Sequence, residues 1–312
     1  LIAKSVVAQG STREVGLGQL AKRGFSIVRA VRSSPWPSSS ASLNYAAVWG
    51  TRERVAAECV RVLDGLACAG ISPLLEPIGR VAGSPVRLVE NARLAFQGCI
   101  LQGMGFVIPP EVASEWISVD QKNREVVRPY LNGDDLNTAP DSSPSNWVVD
   151  FFDRDLPAAR KYELPMAQVE AMVRPGRVDN KRKAIRERWW QFAEKRPGMR
   201  EALRDLAECV VVRQSSDALA PTLVPTDQVI DQTVIVIATS SRATLAVLSS
   251  AAHQYWVIQY GLSTMGGVAR YTPSNVFETF PRPAESQWLE QIGRSLYEER
   301  RAVMLRRDLG LT

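Results

Sequence analysis

The sequence predicts a mixed α+β fold, on three observations. Residues 1–50 alternate between runs of β-branched and apolar residues and a short helical stretch. Residues 59–140 carry further apolar runs broken by glycine, and two later stretches, from Arg174 and from Glu285, place apolar residues at helical spacing among many arginines. At 312 residues and 45% hydrophobic, the chain is long enough for two ordinary domains and can bury a sizeable core.

In chain order, Leu1, Ile2, Val6 and Val7 read as a first strand, closed by the turn formers Gln9, Gly10 and Ser11. Residues 24–31 and 43–49 read as the next two strands, joined by a Ser/Pro loop around Trp36. Gly98, Gly103 and Gly105 interrupt later strands, where positive φ or close backbone approach is needed. Pro109 and Pro110 open a short helix through Trp116 and Ile117, proline being favoured in a first turn. Asn132-Gly133-Asp134-Asp135 reads as a turn; adjacent carboxylates also suit a metal, but no third acid extends the pair. After a polar linker over 138–146, residues 147–151 form a strand and 156–162 a short helix. Strands follow at 209–213 and 229–238, then one amphipathic helix over 243–260 with Leu245, Leu248, Ala252 and Trp256. The glycine-rich loop 261–271 has Arg270 near its exit, and the last helix carries Trp288, Ile292, Leu296 and Val303 with Arg294, Arg300, Arg301, Arg306 and Arg307 exposed.

Residues 174–200 dominate the charge pattern. They hold ten Lys/Arg against three acids, more positive than the formal +5 of the whole chain, so the remainder is close to neutral. On a helix, Ile185, Trp189 and Phe192 share one face and Arg182 and Arg186 a neighbouring one. An aromatic root under a basic outer face suits a surface that meets phosphates, where cations displace condensed counterions. A merely solvated basic face is the alternative.

The remaining composition narrows the classes. Cys59, Cys68, Cys99 and Cys209 are scattered without a CxxC pair and His253 is the single histidine, a pattern that fits neither a conventional zinc site nor a disulfide framework. Each cysteine is expected to be a small buried hydrophobe and His253 a packed or capping residue on a helix. No apolar run is long enough to span a membrane and no secretory pattern opens the chain, so a soluble cytoplasmic protein is expected.

An ordered series of motifs carries a family resemblance. AQGSTREVGLGQL (8–20), the strand leading to SSPWP (33–37), AFQGCILQGMGFVIPPEVA (95–113), RPYLNGDDLN (128–137), PSNWVVDF (144–151), VRPGR (173–177), WWQFAEKRP (189–197), LSSAAHQYW (248–256) and RYTPSNVFETFPRP (270–283) follow one another over nearly the whole chain. Together they resemble the end of the catalytic core and the target-recognition region of the MmeI-like DNA methyltransferases, enzymes that often fuse adenine methylation to restriction. The resemblance implies trailing strands of a Rossmann-like methyltransferase sheet over 1–58, a mixed α/β target-recognition domain over 59–283 and the start of a helical region over 284–312. It also implies that the parent sequence continues beyond both ends.

Methyl transfer from S-adenosylmethionine to adenine N6, which the resemblance implies for the parent, needs a glycine-rich cofactor loop and an Asn/Asp-Pro-Pro-Tyr/Phe tetrad. Neither is present: Pro109-Pro110 lies between Ile108 and Glu111, and Gly16-Leu17-Gly18 lacks the spacing of a nucleotide loop. There is also no Pro-Asp followed at a suitable distance by Asp/Glu-x-Lys, as a magnesium-assisted nuclease requires. The chain alone is therefore expected to have no catalytic residue, metal or cofactor of its own and to bind double-stranded DNA, with the methyltransferase region N-terminal to it as its other partner.

The site candidates follow from that expectation. Trp36 matches the position of an aromatic that stacks on a flipped base in related adenine methyltransferases; packing between its flanking prolines is the alternative. Arg270, with Tyr271, and then Arg213 and Gln214 are the base-reading candidates, since Arg suits guanine in the major groove. Each arginine could instead be an ordinary surface residue. Arg174, Arg177, Lys181, Arg182, Lys183 and Arg186 are the phosphate-binding candidates. A non-catalytic structural module, or one that binds RNA or an acidic protein, is the competing reading.

Overall fold

The structure, a computed structural model, describes every residue except Gln9, 38–42, Ala57, 79–84, Asp217, 264–268 and Thr312. It is a mixed α+β architecture whose chain divides into two compact units, one comprising Leu1–Glu90, Ser215–Asp217 and Ala251–Pro281, the other Asn91–Gln214, Ala218–Ser250 and Arg282–Thr312.

The first unit is built on a five-stranded sheet. β1 (Ile2–Lys4), β2 (Ser26–Pro35), β3 (Asn44–Thr51), β4 (Arg61–Leu63) and β5 (Leu66–Cys68) lie in the order β1-β3-β2-β4-β5. Only β2 and β4 run parallel; β3 pairs antiparallel with both β1 and β2. The first strand is shorter than the apolar pattern predicts, because Ser5–Ala8 turns into a 3-10 helix. Two short helices, Gly10–Val15 and Leu17–Lys22, then lead to β2. Leu17, Ile27, Ala30, Ala46, Val48 and Leu63 are buried together as this unit's core. In the later part of the unit, the helix Ala251–Tyr260 is followed by a hairpin of Leu262–Ser263 with Ala269–Arg270.

Two four-stranded sheets form the second unit. β6 (Ala95–Gln97), β10 (Glu208–Arg213), β11 (Thr222–Pro225) and β13 (Val234–Ile237) make an antiparallel sheet in the order β11-β10-β13-β6, and β7 (Val107–Ile108), β8 (Val127–Leu131), β9 (Asn146–Val149) and β12 (Val229–Ile230) make the other, in the order β12-β8-β9-β7. The unbroken apolar runs of β10 and β13 explain their central places: strands buried on both faces need no polar alternation. Val210, Val211 and all four residues of β13 have no exposure.

Two expected elements are each divided. The apolar run 229–238 becomes β12 and β13, in different sheets, because Asp231 folds a turn between them: its Oδ1 accepts from the Thr233 amide at 2.8 Å and the Thr233 hydroxyl at 2.6 Å. The helix expected over 243–260 is two helices, Arg242–Leu248 and Ala251–Tyr260. The Ser250 hydroxyl donates back to the Val247 carbonyl at the break, a local bond that competes with helix continuation. The final helix, Gln287–Arg307, packs on Arg242–Leu248 so closely that a Cβ on Gly293 would lie 1.8 Å from the Arg242 carbonyl oxygen. No helix among the described residues is long and apolar enough to cross a membrane.

Candidate nucleic-acid interface

The basic segment forms in the second unit, with less helix than its periodicity predicts. A 3-10 turn occupies Pro175–Arg177 and a short helix Lys183–Glu187; the chain then turns through Arg188, Trp189 and Trp190. Ile185, Trp189, Trp190 and Phe192 are all buried, so the aromatic root exists, although one continuous helix does not present it. Phe192 meets Phe106 edge-on at 5.2 Å and the two indoles meet edge-on at 5.8 Å. The Trp190 indole and the Gln191 side-chain amide both donate to the Arg154 carbonyl, at 2.9 and 2.8 Å.

Arg177 ties down the chain beyond this helix. Its Nη1 donates to the carbonyls of Trp189 at 3.0 Å and Gln191 at 2.5 Å, and its Nη2 to those of Gln102 at 3.0 Å and Leu101. Carbonyls turned toward a guanidinium are withdrawn from a helical ladder. The side chain lies over the Phe106 ring at 4.9 Å and is 2% exposed. This corrects its placement among the phosphate-binding residues: a buried guanidinium engaged with four carbonyls does not meet a phosphate. Burial pulls it down to about 10, which leaves it charged at neutral pH.

The other five phosphate candidates are exposed. Arg174 pairs with Glu170 and lies 5.2 Å from the Trp189 ring centroid. Arg186 donates to the Asn180 carbonyl at 2.8 Å, and Lys183 is 3.7 Å from Glu187. Lys181 and Arg182 are exposed without a carboxylate partner among the described residues, and Arg188 shares that condition. The segment is thus a cationic surface riveted to the core by Trp189, Trp190, Phe192 and Arg177.

Arg213 ends β10, and its Nη2 reaches Asp134 Oδ1 at 2.8 Å. Its stem crosses Gly133, where a Cβ would lie 3.2 Å from Arg213 Cγ. Gln214 follows with its amide donating to the Thr233 carbonyl at 2.8 Å. The Asn-Gly-Asp-Asp stretch, expected as a turn, is the N-cap and first turn of a helix. Asn132 caps the helix Gly133–Thr138 by accepting from the amides of Asp134 at 2.7 Å and Asp135 at 3.0 Å, with Asp135 closing the capping box. No group of three or more His, Cys, Asp or Glu able to hold a metal occurs among the described residues.

The remaining candidates lie in the first unit. Arg270 is exposed on the second strand of the hairpin, its Cα opposite Leu262; residues 264–268 of the preceding loop lie outside the described residues. Tyr271 is 1% exposed, with its hydroxyl 3.2 Å from His253 Nε2. That corrects its pairing with Arg270 as a base reader: the ring packs inward, beside a fully buried histidine that also faces Phe280 at 4.7 Å. Trp36 is 42% exposed, packs edge-on against Tyr45 at 5.6 Å and donates its amide to the Leu43 carbonyl at 2.9 Å. Residues 38–42 of its loop lie outside the described residues.

Two features escaped the sequence. Arg200 is half-buried: it reaches Asp150 at 2.7 Å, donates to the Lys195 carbonyl at 2.9 Å and lies over the Phe152 ring at 4.6 Å. The Arg213–Asp134 pair was also hidden, although the NGDD turn was recognisable; its partners are separated by 79 positions. The cysteines split as well: Cys99 and Cys209 are buried as expected, whereas Cys59 is exposed and Cys68 half-buried, which corrects the uniform reading.

Comparison with known proteins adds the family. The sequence model of a family described as "MmeI, target recognition domain" matches residues 87–284. No curated protein matches the chain. Among solved structures, the Type IIL restriction-modification enzyme MmeI in complex with DNA aligns with a TM-score of 0.73 at 15% identity, over 98% of this chain and 41% of that one. The type IIG restriction endonuclease BpuSI aligns at 12% identity with a TM-score of 0.36, over 96% of this chain and 41% of that one. At such identity the likeness to MmeI is one of fold, and this chain spans about two fifths of that protein's length.

Proposed function

The chain belongs to the MmeI target recognition domain family, and from that premise we propose that it selects a specific site on duplex DNA for an enzyme that methylates adenine N6 with S-adenosylmethionine in a restriction-modification system. The observation that carries the reading is the exposed cationic segment 174–188 fixed to the core by buried Trp189, Trp190 and Arg177. Rigidly mounted cations suit phosphates, which set register without reading sequence. Arg270 and Arg213 would read base edges, and Trp36, 42% exposed on its loop, would stack on the displaced base. The DNA in the MmeI complex of like fold supports the choice of ligand.

The chemistry belongs to the rest of the parent. Gly16-Leu17-Gly18 follows the helix Gly10–Val15, not a strand, and Leu17 is buried in the core, so this glycine pair is not set as a nucleotide loop. Pro109-Pro110 opens the helix Pro110–Val119 with Ile108 where the tetrad has Asn or Asp and Glu111 where it has Tyr or Phe. Gel-shift titration against duplex DNA, single strands and RNA at two salt concentrations tests the recognition half, with duplex preferred. A radiolabelled methyl-transfer assay on the isolated chain tests the other half, with no turnover expected; turnover, or preference for RNA, contradicts the reading.

A further inference from the structure

Surface ion pairs contribute little to stability, a median of about 0–1 kcal/mol, yet the Arg213–Asp134 pair rests on an unusually well-tied platform. The Tyr130 hydroxyl donates to buried Asp231 at 2.5 Å; Asp231 accepts from the Thr233 hydroxyl at 2.6 Å; Thr233 Oγ1 in turn accepts the Gly133 amide at 2.9 Å. Burial and the Asp231 carboxylate push the Tyr130 phenol well above its ordinary range, so it stays a donor. The Asn132 cap fixes the backbone of Asp134, and Gly133 leaves room for the Arg213 stem across the turn. Tyr130, Asp231, Thr233 and Gly133 are thus linked by hydrogen bonds beneath the pair, while the Asp134 side chain is 79% exposed and that of Arg213 32%. A fork of donors beside a free carboxylate edge is held in place facing outward.

Resting on the function proposed above, we propose that Arg213 and Asp134 act as one reading unit for a G·C base pair, and that Asp134 is its second specificity residue. Guanine offers O6 and N7 as two acceptors in the major groove and cytosine offers the N4 amine as a donor. Arg213 supplies two donors to the guanine. Asp134 holds one edge of that guanidinium at 2.8 Å, and its second oxygen accepts from the cytosine amine. The carboxylate also rejects the opposite pattern, since a base acceptor placed against it would be left without a donor.

The test is site selection by the whole 312-residue chain from a randomised duplex pool, comparing wild type with Arg213→Gln and Asp134→Asn. Neither change touches the backbone cap, and an unchanged thermal transition verifies the fold. The wild type should select one G·C position whose preference falls about tenfold or more in Arg213→Gln and severalfold, at the same position, in Asp134→Asn. If the wild type selects a site and Asp134→Asn merely tightens binding to all duplexes, or each variant alters a different position, the reading unit is wrong while the recognition function stands. If the wild type binds no duplex at all, the function proposed above fails first.

Discussion

Arg177 has four carbonyls about its guanidinium and no carboxylate among the described residues. Removing a buried charged donor strands every acceptor it served, each at about 1–3 kcal/mol. Arg177→Ala should therefore lower stability in urea by about 3 kcal/mol or more, whereas exposed Arg186→Ala should leave the urea transition in place. Equal effects would show that Arg177 is not the rivet described. The cysteines give a second residue-scale outcome. Burial pushes the Cys99 thiol up to about 11 and Cys209 up to about 12, so almost no thiolate is present near neutral pH. A thiol reagent at pH 7.5 should label exposed Cys59 quickly and Cys99 and Cys209 only on unfolding; rapid labelling of all four would contradict their burial. Sequence could not separate Arg177 from its basic neighbours, because its partners are carbonyls from residues 101, 102, 189 and 191, and a carbonyl leaves no mark on residue type. Tyr271 was misjudged for the same reason: its neighbours His253 and Phe280 are near in space but not in sequence.

At the scale of elements, the basic segment combines a core role with a surface role, and mutations should separate them. Trp189→Ala opens a buried site and should cost about 3–5 kcal/mol, read from the unfolding midpoint and slope. Arg182→Ala or Arg186→Ala should instead weaken binding to every duplex and reduce the salt slope by about 1. Loss on one sequence alone would mean that these arginines read bases. The helix pair gives another outcome: Gly293→Ala must push Gln287–Arg307 away from the Arg242 backbone and should lower stability, while the neighbouring exposed change Arg294→Ala should not. Periodicity made strand and helix legible where one pattern ran unbroken, as in 208–213 and 287–307. It failed where a short polar side chain redirected an apolar run, at Asp231 and at Ser249-Ser250, because hydrophobic spacing does not register a single competing hydrogen bond.

Across the whole molecule, the fold class and the family were legible because the ordered motifs extend along nearly the full chain, and the family match over residues 87–284 bears that out. The division into two compact units was less so: Ala251–Pro281 joins the first unit after a long excursion through the second, and no change of composition marks the crossing. Of the candidate site, the sequence displays the charge but not the geometry. A run of cations can be counted, whereas the orientation of Arg213 depends on Asp134, Gly133 and Thr233 meeting across the fold. The central claim is that this chain chooses a position on a double helix without performing chemistry there. Its most direct test is a fluorescence-anisotropy titration of a duplex carrying the selected site, with an unrelated duplex and a matched RNA as competitors, at low and physiological salt. The account predicts tight binding of the selected duplex that falls steeply with salt and is displaced poorly by either competitor. Equal affinity for all three, or binding indifferent to salt, would contradict it.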